Sequence, residues 1–343
     1  MKKIFVIISN GEGGIATFQK YLIKNISKLN HKIYFIDKKN NSTLKFFNRK
    51  LKSKVKFFKS DTIYDIKKVF TFLKLIKKRE ENNKVIFVFS NPLLLIIYFW
   101  FLLFYFKNKK INLFIHSHML KINFSQIIIN FLSSLISPFL NKTYFVSNFT
   151  KNWWLKYFFF YKLSNYKVFY NSVKIPRVSK NNKLKNIIGF VGRLEIEKGI
   201  DVFSDIARFI VKNNFKFEIF GDGSQKKNIF KHTNVKINKW QKQEIIYKKF
   251  GILLVTSPIE NCPFSVLEAK SYGIPTLSIS DGGIREIVKN NKDGIILNLK
   301  DLQNVKKSLF KIRQNYNFFK KNCLYERKKF NEKICYLKLI NEM

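Results

Sequence analysis

Apolar segments of strand length alternate along this chain with longer segments whose apolar residues recur at helical spacing. The first strand-like segment covers residues 3–9, and Ile15, Phe18 and Leu22 then follow at the spacing of one helix face. A second strand-like segment lies at residues 31–37. A strand, a helix and a second strand in this order form a βαβ unit, in which the two strands are parallel. The beginning of the chain therefore predicts a parallel sheet covered by helices.

The same alternation continues toward the carboxyl terminus. Further strand-like segments lie at residues 84–90, 111–118, 186–193, 216–223, 235–240, 251–257 and 275–280. Helical patterns lie between them at residues 93–106, 201–212, 243–250 and 264–273. The Lys- and Asn-rich stretch between residues 38 and 83 is interpreted as a polar connection. Strands that alternate with helices through both halves predict the α/β class, with two doubly wound parallel sheets.

The length of the chain indicates the number of domains. A chain of 343 residues is too long for one ordinary core and fits two domains. Pro176 and the Lys- and Asn-rich stretch after it favour a boundary in this region. We expect an amino-terminal domain of residues 1–173, a carboxyl-terminal domain of residues 174–318, and a terminal helix within residues 319–343 that packs back toward the first domain. Three apolar residues share one predicted face of this last segment: Phe330, Ile334 and Leu337.

The net charge of +43 comes from 65 Lys and Arg residues against 22 Asp and Glu residues. Attraction to an anionic surface would explain this charge, and the surface could be the inner membrane leaflet or a nucleic acid. Compositional drift is the other explanation, because the chain is rich in Lys, Asn, Ile and Phe, as an AT-rich genome would encode. No motif that reads nucleic acids accompanies the charge, so no nucleic-acid partner is expected. Drift and a membrane-surface role both stay open.

Two segments are apolar or aromatic enough to contact a membrane. Residues 93–106 form an apolar run that would span about 21 Å as a helix. The hydrocarbon core of a bilayer is roughly 30 Å thick, so a buried or interface-lying helix is favoured over a spanning one. Residues 152–162 combine Trp, Tyr and Phe with Lys, a composition that suits either the headgroup zone of a bilayer or a protein core.

The cysteines and the amino terminus bear on the compartment. Cys262, Cys323 and Cys335 form neither a paired framework nor a metal-ligand spacing, which favours a reducing cytoplasm. Met1 leads within a few residues into the first strand, so no secretion signal is expected. We therefore expect a cytoplasmic protein that associates peripherally with the inner face of the cell membrane.

Gly11, Gly13 and Gly14 lie between the first strand and its helix. Backbone amides at such a helix start can receive phosphate oxygens, and the missing side chains allow a close approach. Glycine also serves tight turns, so a ligand contact and a purely structural turn are both consistent with this loop. Glu12 does not suit a nucleotide-binding P-loop, and the Gly-Lys-Ser/Thr ending of that motif is absent.

His116 and His118 flank Ser117 at the end of a predicted strand, where open α/β sheets place ligand groups. Their side chains alternate sides of the chain, so one of them should face the ligand. We assign this contact with the substrate to His118, and a structural role is the alternative. No acidic or cysteine partner stands nearby, so a metal pair is not expected. No metal ion or other cofactor is expected in the protein.

Arg193 and Lys198 lie on a glycine-containing loop after a strand. Arg offers a planar fork and Lys a mobile point charge, a combination that suits a diphosphate. Glu260 and Glu268 follow around an Asn-Cys-Pro turn, and Pro263 suits the first turn of a helix that carries Glu268. Both carboxylates should reach one cleft and accept hydrogen bonds from sugar hydroxyls. Two carboxylates could instead serve a glycoside hydrolase, but the nearby cations favour a nucleotide-sugar enzyme.

Motifs in both halves of the chain resemble those of glycosyltransferase family 4, retaining enzymes with the two-domain GT-B fold. The motifs are GGIATFQKYL at residues 13–22, HSHM at 116–119, YFVSNFTKNWWL at 144–155, YNSVKI at 170–175, FVGRLEIEKG at 190–199, IFGDG at 219–223, E-x7-E at 260–268, GGIREIV at 282–288 and DGIIL at 293–297. The resemblance implies two Rossmann-like domains that face a cleft. The HSHM motif is most similar to that of bacterial polysaccharide-biosynthesis enzymes, which extend lipid-linked oligosaccharides of the cell envelope.

The resemblance also implies roles for individual residues. Gly13 and Gly14 would lie beside the phosphates of the donor, and His118 would touch the donor sugar. Arg193 and Lys198 would bind the diphosphate.

Further implied roles fall in the E-x7-E motif. Glu260 would contact the donor sugar near the reacting centre, and Glu268 would bind the ribose hydroxyls. Phe264 and Ser265 would pack against the donor or its nucleotide. The residues that the resemblance places closest to the chemistry are Glu260, His118, Arg193 and Lys198.

The implied reaction is sugar transfer from a nucleoside diphosphate sugar, with UDP favoured, and with retention at the anomeric carbon. The acceptor would be a hydroxyl of a growing, lipid-linked cell-surface glycan, and the transferred sugar would be a hexose or an N-acetylhexosamine. Two alternatives stay open. One is a nucleotide-sugar 2-epimerase of the GT-B fold, and the other is a non-catalytic basic protein that binds membranes or RNA.

Overall fold

The structure is a computed structural model, and it describes residues 3–9, 11–38, 53–60, 65–80, 83–117, 123–178, 185–210, 212–298 and 301–343. The chain forms two compact units. The first contains residues 1–170 and 333–343, and the second contains residues 171–332. The sequence placed the first boundary after residue 173 and assigned residues 319–332 to the terminal segment. In the structure, residues 171–173 and residues 319–332 all belong to the second unit.

Hydrogen bonds within the second unit explain why the chain passes from one unit to the other after residue 170 and again after residue 332. The Val173 amide donates to the Phe330 carbonyl over 2.9 Å, and the Glu332 amide donates to the Val173 carbonyl over 2.9 Å. The Asn171 side chain donates to the Cys262 carbonyl over 2.7 Å. These hydrogen bonds hold the beginning and the end of the second unit, near Val173 and Glu332, to each other and to the rest of that unit.

The first unit is built on a parallel sheet. Its strands are β1 (Ile4–Ile8), β2 (Lys32–Lys38), β3 (Val55–Ser60), β4 (Val85–Phe89), β5 (Lys109–Ile115), β6 (Lys142–Phe145) and β7 (Tyr166–Val168). The order across the sheet is β3-β2-β1-β4-β5-β6-β7, and every pairing is parallel. Every residue of β1 and β4 is buried, as expected for central strands covered on both faces. The strands predicted at β1, β2, β4 and β5 are confirmed.

Helices connect these strands. They are α1 (Gly14–Ile26), α2 (Ile66–Arg79), α3 (Pro92–Tyr105), α4 (Phe124–Ile136) and α5 (Asn148–Tyr157). Strand β3 and helix α2 lie in the Lys- and Asn-rich stretch that the sequence pattern interpreted as a polar connection. That interpretation was wrong for these two segments.

The helix Glu332–Glu342 brings the end of the chain back to the first unit. Its inward residues are Tyr336, Leu339 and Ile340, whereas Ile334 and Leu337 are exposed. The predicted apolar face was therefore wrong. Phe330 belongs to a separate 3-10 turn that ends before this helix begins, so one helical period does not run across the junction.

Helix α3, the longest apolar run in the sequence, is a core helix. Its side chains that pack into the core are Leu94, Leu95, Tyr98, Phe99 and Leu102. Asn91 caps its start by accepting a hydrogen bond from the Leu93 amide over 2.9 Å, and Pro92 fits the first turn. In the part of the chain that the structure describes, no helix has both the length and the apolar character needed to cross a bilayer.

The second unit repeats the architecture. Its strands are β8 (Ile187–Val191), β9 (Lys216–Phe220), β10 (Val235–Asn238), β11 (Ile252–Val255), β12 (Ile259–Glu260), β13 (Thr276–Ser278), β14 (Asp281–Gly282) and β15 (Gly294–Ile296). Six of them form a parallel sheet in the order β10-β9-β8-β11-β13-β15, and β12 pairs with β14. Its helices are α6 (Ile200–Ile210), α7 (Gln243–Tyr247), α8 (Phe264–Ser271), α9 (Ile284–Ile287), α10 (Leu302–Gln314) and α11 (Tyr316–Glu326).

Each sheet has the strand order of a doubly wound fold. In the second unit, β8 lies beside β11, and the chain builds outward on either side of this pair. Open α/β sheets bind ligands beyond the carboxyl ends of their strands, at the point where the strand order reverses. The loops that follow β8 and β11 are therefore the expected position of a site in this unit.

Candidate active site

An ion pair joins the two loops at this position. Lys198 Nζ lies 2.7 Å from Glu260 Oε1, and Ser257 Oγ donates to the same oxygen over 2.8 Å. The side chains of Lys198 and Glu260 are 33% and 12% exposed, so the pair is partly shielded but still reachable from solvent. The structure thus brings together one cation and one carboxylate of the site predicted from the sequence.

The backbone at Gly199 holds Lys198 in this position. Gly199 has a φ of 68°, and an added Cβ there would lie 2.1 Å from the Thr256 carbonyl oxygen. Thr256 Oγ1 donates to the Gly199 carbonyl over 2.7 Å. Only glycine combines a left-handed φ with so close an approach of another backbone. This contact joins the loop after β8 to the end of β11.

We expect Gly199→Ala to lower the free energy of unfolding by more than about 2 kcal/mol, because left-handed strain adds to the clash with Thr256. Gly13→Ala is the matched control. Gly13 has a φ of 56°, but apart from Gly13 itself and its two chain neighbours no atom of the described residues lies within 4 Å of an added Cβ. It should therefore lose only about 1 kcal/mol. Urea denaturation measures both losses, and equal values would rule out the clash.

A small cavity of about 20 Å³ lies beside the ion pair. The ends of β8 and β11 line it together with Lys198, Glu260 and Ser265. Ser265 is the second residue of α8, so the first turn of this helix is at the cavity. The first amides of a helix have no intrahelical partner and carry partial positive charge. The cavity therefore combines positive charge for an anion with a carboxylate that can accept hydrogen bonds from hydroxyls.

Arg193 lies on the same loop as Lys198 but is not among the residues that line this cavity. Its guanidinium forms an ion pair with Glu197 over 2.7 Å, and the Arg193 side chain is 60% exposed. An exposed pair of this kind contributes only about 0–1 kcal/mol, so the guanidinium can leave it at little cost. The assignment of Arg193 to the diphosphate stays a prediction.

Glu268 lies inside α8 and is buried. Tyr247 donates its hydroxyl to Glu268 Oε2 over 2.7 Å, and the Gln243 side chain donates to Oε1. Glu268 is not among the residues that line the Lys198 cavity, although the sequence led us to expect both glutamates in one cleft. Phe264, the first residue of α8, is also buried. The predicted contacts of these two residues with the donor stay predictions.

Sequence reasoning missed three polar residues around these carboxylates: Ser257, Gln243 and Tyr247. Ser257 lies two residues after the end of β11, and the carboxyl end of a strand is a position that the apolar pattern of the sequence already located. Gln243 and Tyr247 are four residues apart and therefore share a helix face, which the sequence shows, but the sequence does not show that this face contacts Glu268.

A larger cavity of about 450 Å³ lies beyond β13 and β15, at the same edge of this sheet. Arg285 Nε donates to Asp281 Oδ1 over 2.8 Å, and its NH2 group donates to Asn298 Oδ1 over 2.8 Å. The hydrogen bond from Arg285 lowers the pKa of Asp281. The wall of this cavity thus includes the hydrogen-bonded guanidinium of Arg285, the arginine of the GGIREIV motif.

In the first unit, Gly14 is the first residue of α1 and Gly13 precedes it, and both are exposed. His118 lies outside the described residues. The His116 ring lies 4.8 Å from that of Phe18, and its Nε2 is shielded from solvent without a hydrogen-bond partner in the described structure. Burial lowers the pKa of His116 to about 3, so this side chain is neutral at pH 7. Within the described ranges, no group of three or more His, Cys, Asp and Glu side chains could hold a metal ion.

Comparison with known sequences points to sugar transfer. Residues 172–329, which cover most of the second unit and less than half of the chain, match the family model for glycosyl transferases group 1. The UDP-Gal:alpha-D-GlcNAc-diphosphoundecaprenol alpha-1,3-galactosyltransferase of Escherichia coli is 27% identical over 172 residues, covering 43% of this chain and 44% of the relative. The GalNAc-alpha-(1->4)-GalNAc-alpha-(1->3)-diNAcBac-PP-undecaprenol alpha-1,4-N-acetyl-D-galactosaminyltransferase of Campylobacter jejuni is 26% identical over 146 residues, covering 40% of this chain and 41% of the relative. Both matches span less than half of the relatives' length.

Solved structures resemble the whole chain. Anabaena HepE in complex with UDP has a TM-score of 0.80 at 13% identity, with 99% of both chains covered. The lipopolysaccharide outer core galactosyltransferase WaaB has a TM-score of 0.67 at 18% identity, with 100% of this chain and 99% of that chain covered. At these identities the likeness shows the fold alone. It confirms the predicted fold class, two Rossmann-like α/β domains of the GT-B type.

Proposed function

We propose that this chain is a retaining glycosyltransferase of family 4 that transfers a sugar from a nucleoside diphosphate sugar, with UDP as the favoured nucleotide. The observation that carries the proposal is the Lys198–Glu260 pair beyond the carboxyl ends of β8 and β11, beside the start of α8. The match of the second unit to the group 1 model and the UDP complex of HepE, a chain of the same fold, support this choice.

In this proposal the two partners of the ion pair face the two parts of the donor. Lys198 and the first-turn amides of α8, near Ser265, bind the diphosphate. Arg193 joins them after it leaves Glu197. Glu260 accepts hydrogen bonds from hydroxyls of the donor sugar.

The remaining predicted residues complete the donor site. Glu268 binds the ribose hydroxyls, and Phe264 packs against the nucleotide. Gly13 and Gly14 offer amides to the donor phosphates, and His118 touches the donor sugar. These assignments rest on the resemblance of the motifs to family 4.

The proposed reaction takes place on one face of the sugar. The bond between the anomeric carbon and the diphosphate oxygen breaks, and its electron pair stays on that oxygen. The leaving oxygen takes the proton of the acceptor hydroxyl, and the acceptor oxygen bonds to the anomeric carbon with retention. Negative charge grows on the diphosphate as the bond breaks, so Lys198 and Arg193 stabilise the transition state more than the bound donor. Because these two cations stabilise the negative charge on the diphosphate, the proposed reaction needs no metal ion.

The proposed acceptor is a hydroxyl of a growing lipid-linked glycan of the cell surface. Its support is the printed names of the two curated relatives, which place their substrates on diphosphoundecaprenol or PP-undecaprenol. One of these relatives is a galactosyltransferase and the other an N-acetylgalactosaminyltransferase, so the proposal covers both hexosyl and N-acetylhexosaminyl transfer. An acceptor of this kind requires the protein to work at the inner face of the cell membrane, as a peripheral protein in the cytoplasm.

Calorimetric titration with UDP, GDP and ADP, with and without a divalent cation, tests the donor class. We expect UDP to bind most tightly and to need no metal ion. Glu268→Gln should weaken UDP binding about tenfold, because a neutral amide accepts hydrogen bonds from ribose hydroxyls less strongly than a carboxylate does.

Tyr247→Phe is the matched control for this titration, since it removes the hydroxyl that donates to Glu268 and keeps the carboxylate. It should bind UDP as the unchanged protein does. Equal weakening in both variants would give Glu268 a purely structural role. If none of the three nucleotides bound, the donor class would be wrong, and epimerisation of a nucleotide sugar without any acceptor would contradict transfer.

A further inference from the structure

Helix α4 (Phe124–Ile136) buries polar side chains and exposes apolar ones over most of its length, although Ser125 and Gln126 are also exposed and Ile136 is buried. Asn130, Ser133 and Ser134 are buried, whereas Ile128 and Phe131 are 43% and 49% exposed. A helix on the surface of a globular protein ordinarily has the opposite arrangement. An apolar outer face of this kind is expected where another apolar phase covers it.

Hydrogen bonds fix this orientation of α4. Ser133 Oγ on α4 and Tyr161 OH lie 2.8 Å apart. Ser137 Oγ, directly after the helix, donates to the Phe160 carbonyl over 3.2 Å. Turning the helix to bury its apolar face would break these contacts and leave buried hydroxyls unpaired, which is unfavourable.

Neighbouring elements of the first unit extend the exposed apolar surface. Trp100 and Phe104 on α3 are 57% and 80% exposed, and their rings stack with centroids 6.0 Å apart. Two 3-10 turns, Ser137–Phe139 and Phe159–Leu163, adjoin these helices. Ring contacts between Phe99 and Phe139 and between Phe131 and Phe160 connect these turns to α3 and α4. We call this surface the α4 apolar face, and its exposed residues include Trp100, Phe104, Ile128, Phe131, Phe139 and Phe159.

The stretch of the first unit that carries the α4 apolar face is basic. The sequence contains no Asp or Glu from residue 82 to residue 170, where this part of the first unit ends, and the same stretch contains 10 Lys residues. The exposed Lys156 and Lys162 lie near the aromatic rings of Tyr157 and Phe159, with Nζ 5.3 Å and 5.7 Å from the ring centroids. A second copy of this face would bring like charges together. Anionic lipid headgroups above an acyl layer complement both the charge and the aromatic side chains.

We propose that the α4 apolar face docks this chain onto an anionic bilayer. Its Phe, Trp and Ile side chains enter the boundary between headgroups and acyl chains, and Lys156 and Lys162 contact the headgroup phosphates. The inference rests on the proposed function only in assuming that the acceptor is presented on a membrane. Of the two segments that the sequence suggested for membrane contact, this face uses only exposed side chains such as Trp100, Phe104 and Phe159, since most of α3 packs against the core and Trp154 is buried.

Sedimentation with vesicles tests this docking surface. Ile128→Gln/Phe131→Gln should bind vesicles of phosphatidylcholine with phosphatidylglycerol about 10–100-fold more weakly than the unchanged chain, because two apolar side chains no longer leave water. Ile245→Gln/Phe318→Gln is the matched control in the second unit, where these residues are 47% and 54% exposed. This control should bind as the unchanged chain does. The unchanged chain should bind vesicles of phosphatidylcholine alone more weakly, and salt should weaken its binding to the mixed vesicles.

Three outcomes would overturn the proposal. The two double variants could lose vesicle binding equally, or the unchanged chain could fail to bind anionic vesicles. In the third, analytical ultracentrifugation would show that Ile128→Gln/Phe131→Gln abolishes self-association while vesicle binding is unchanged, and the face would then be an interface between copies. Titration of the same variant with UDP in the absence of vesicles separates this inference from the proposed function, because nucleotide affinity should not change.

Discussion

Replacing Lys198 by alanine is expected to lower the turnover number by about 10²–10³-fold, the effect typical of removing one fixed group that stabilises charge in a transition state. Lys198 lines the cavity at the ends of β8 and β11, and its ammonium group already lies 2.7 Å from Glu260. In the proposed reaction this group stabilises the leaving diphosphate. The nucleotide affinity should fall less than the turnover number, because the charge on the leaving oxygen grows only as the bond breaks. Steady-state kinetics with UDP-sugars, together with UDP titration, measures both quantities.

The chain offers a close control for this substitution. Lys249 and Glu218 form a second Lys–Glu pair in the same unit, with side chains 35% and 14% exposed. Lys249→Ala therefore removes a cation of similar burial and leaves a similar carboxylate behind. Both variants should lose comparable stability, and only Lys198→Ala should lose turnover. Equal losses of turnover would show that the effect of Lys198 is a general consequence of breaking an ion pair.

Much of the fold could be predicted from the sequence because the central strands of a parallel sheet are covered on both faces and read as continuous apolar runs. Strands β1, β4 and β11 are of this kind and are wholly buried. Strand β3 was missed because, in the part of the chain that the structure describes, it lies at the edge of its sheet and pairs with β2 alone. An edge strand tolerates charged residues such as Lys56, so its apolar pattern is weak.

The candidate site likewise contains residues that could be predicted from the sequence and residues that could not. Lys198 and Glu260 were predictable because each lies in the connection that follows a recognisable strand, β8 or β11, and the sheet topology brings the ends of these two strands together. The surroundings of Glu268 were not predictable, because they depend on how α7 packs beside α8. That packing places Gln243 and Tyr247 on the Glu268 carboxylate.

The burial of Lys270 could not be predicted from the sequence either, and replacing its partner Asp293 has the largest expected effect on stability. A lysine on a short helix is ordinarily expected to face solvent. In the structure, Lys270 on α8 forms an ion pair with Asp293, and the two side chains are 2% and 0% exposed. Asp293 Oδ1 also accepts a hydrogen bond from the Lys289 amide over 2.9 Å. The pair ties the helix that carries Ser265 and Glu268 to the segment that precedes β15.

Asp293→Ala is expected to lower the free energy of unfolding by about 3–5 kcal/mol, because it leaves the buried ammonium group of Lys270 without its counter-charge. The double variant Lys270→Met/Asp293→Leu should be less destabilised than Asp293→Ala, since no buried charge is then left unpaired. Asp205→Ala is the control at an exposed pair, where the Arg208 and Asp205 side chains are 64% and 63% exposed, and it should change the free energy by about 0–1 kcal/mol. Urea denaturation of the three variants compares these values. If the double variant were as unstable as Asp293→Ala, the contribution of Asp293 would lie in its hydrogen bond to the Lys289 amide and not in the ion pair.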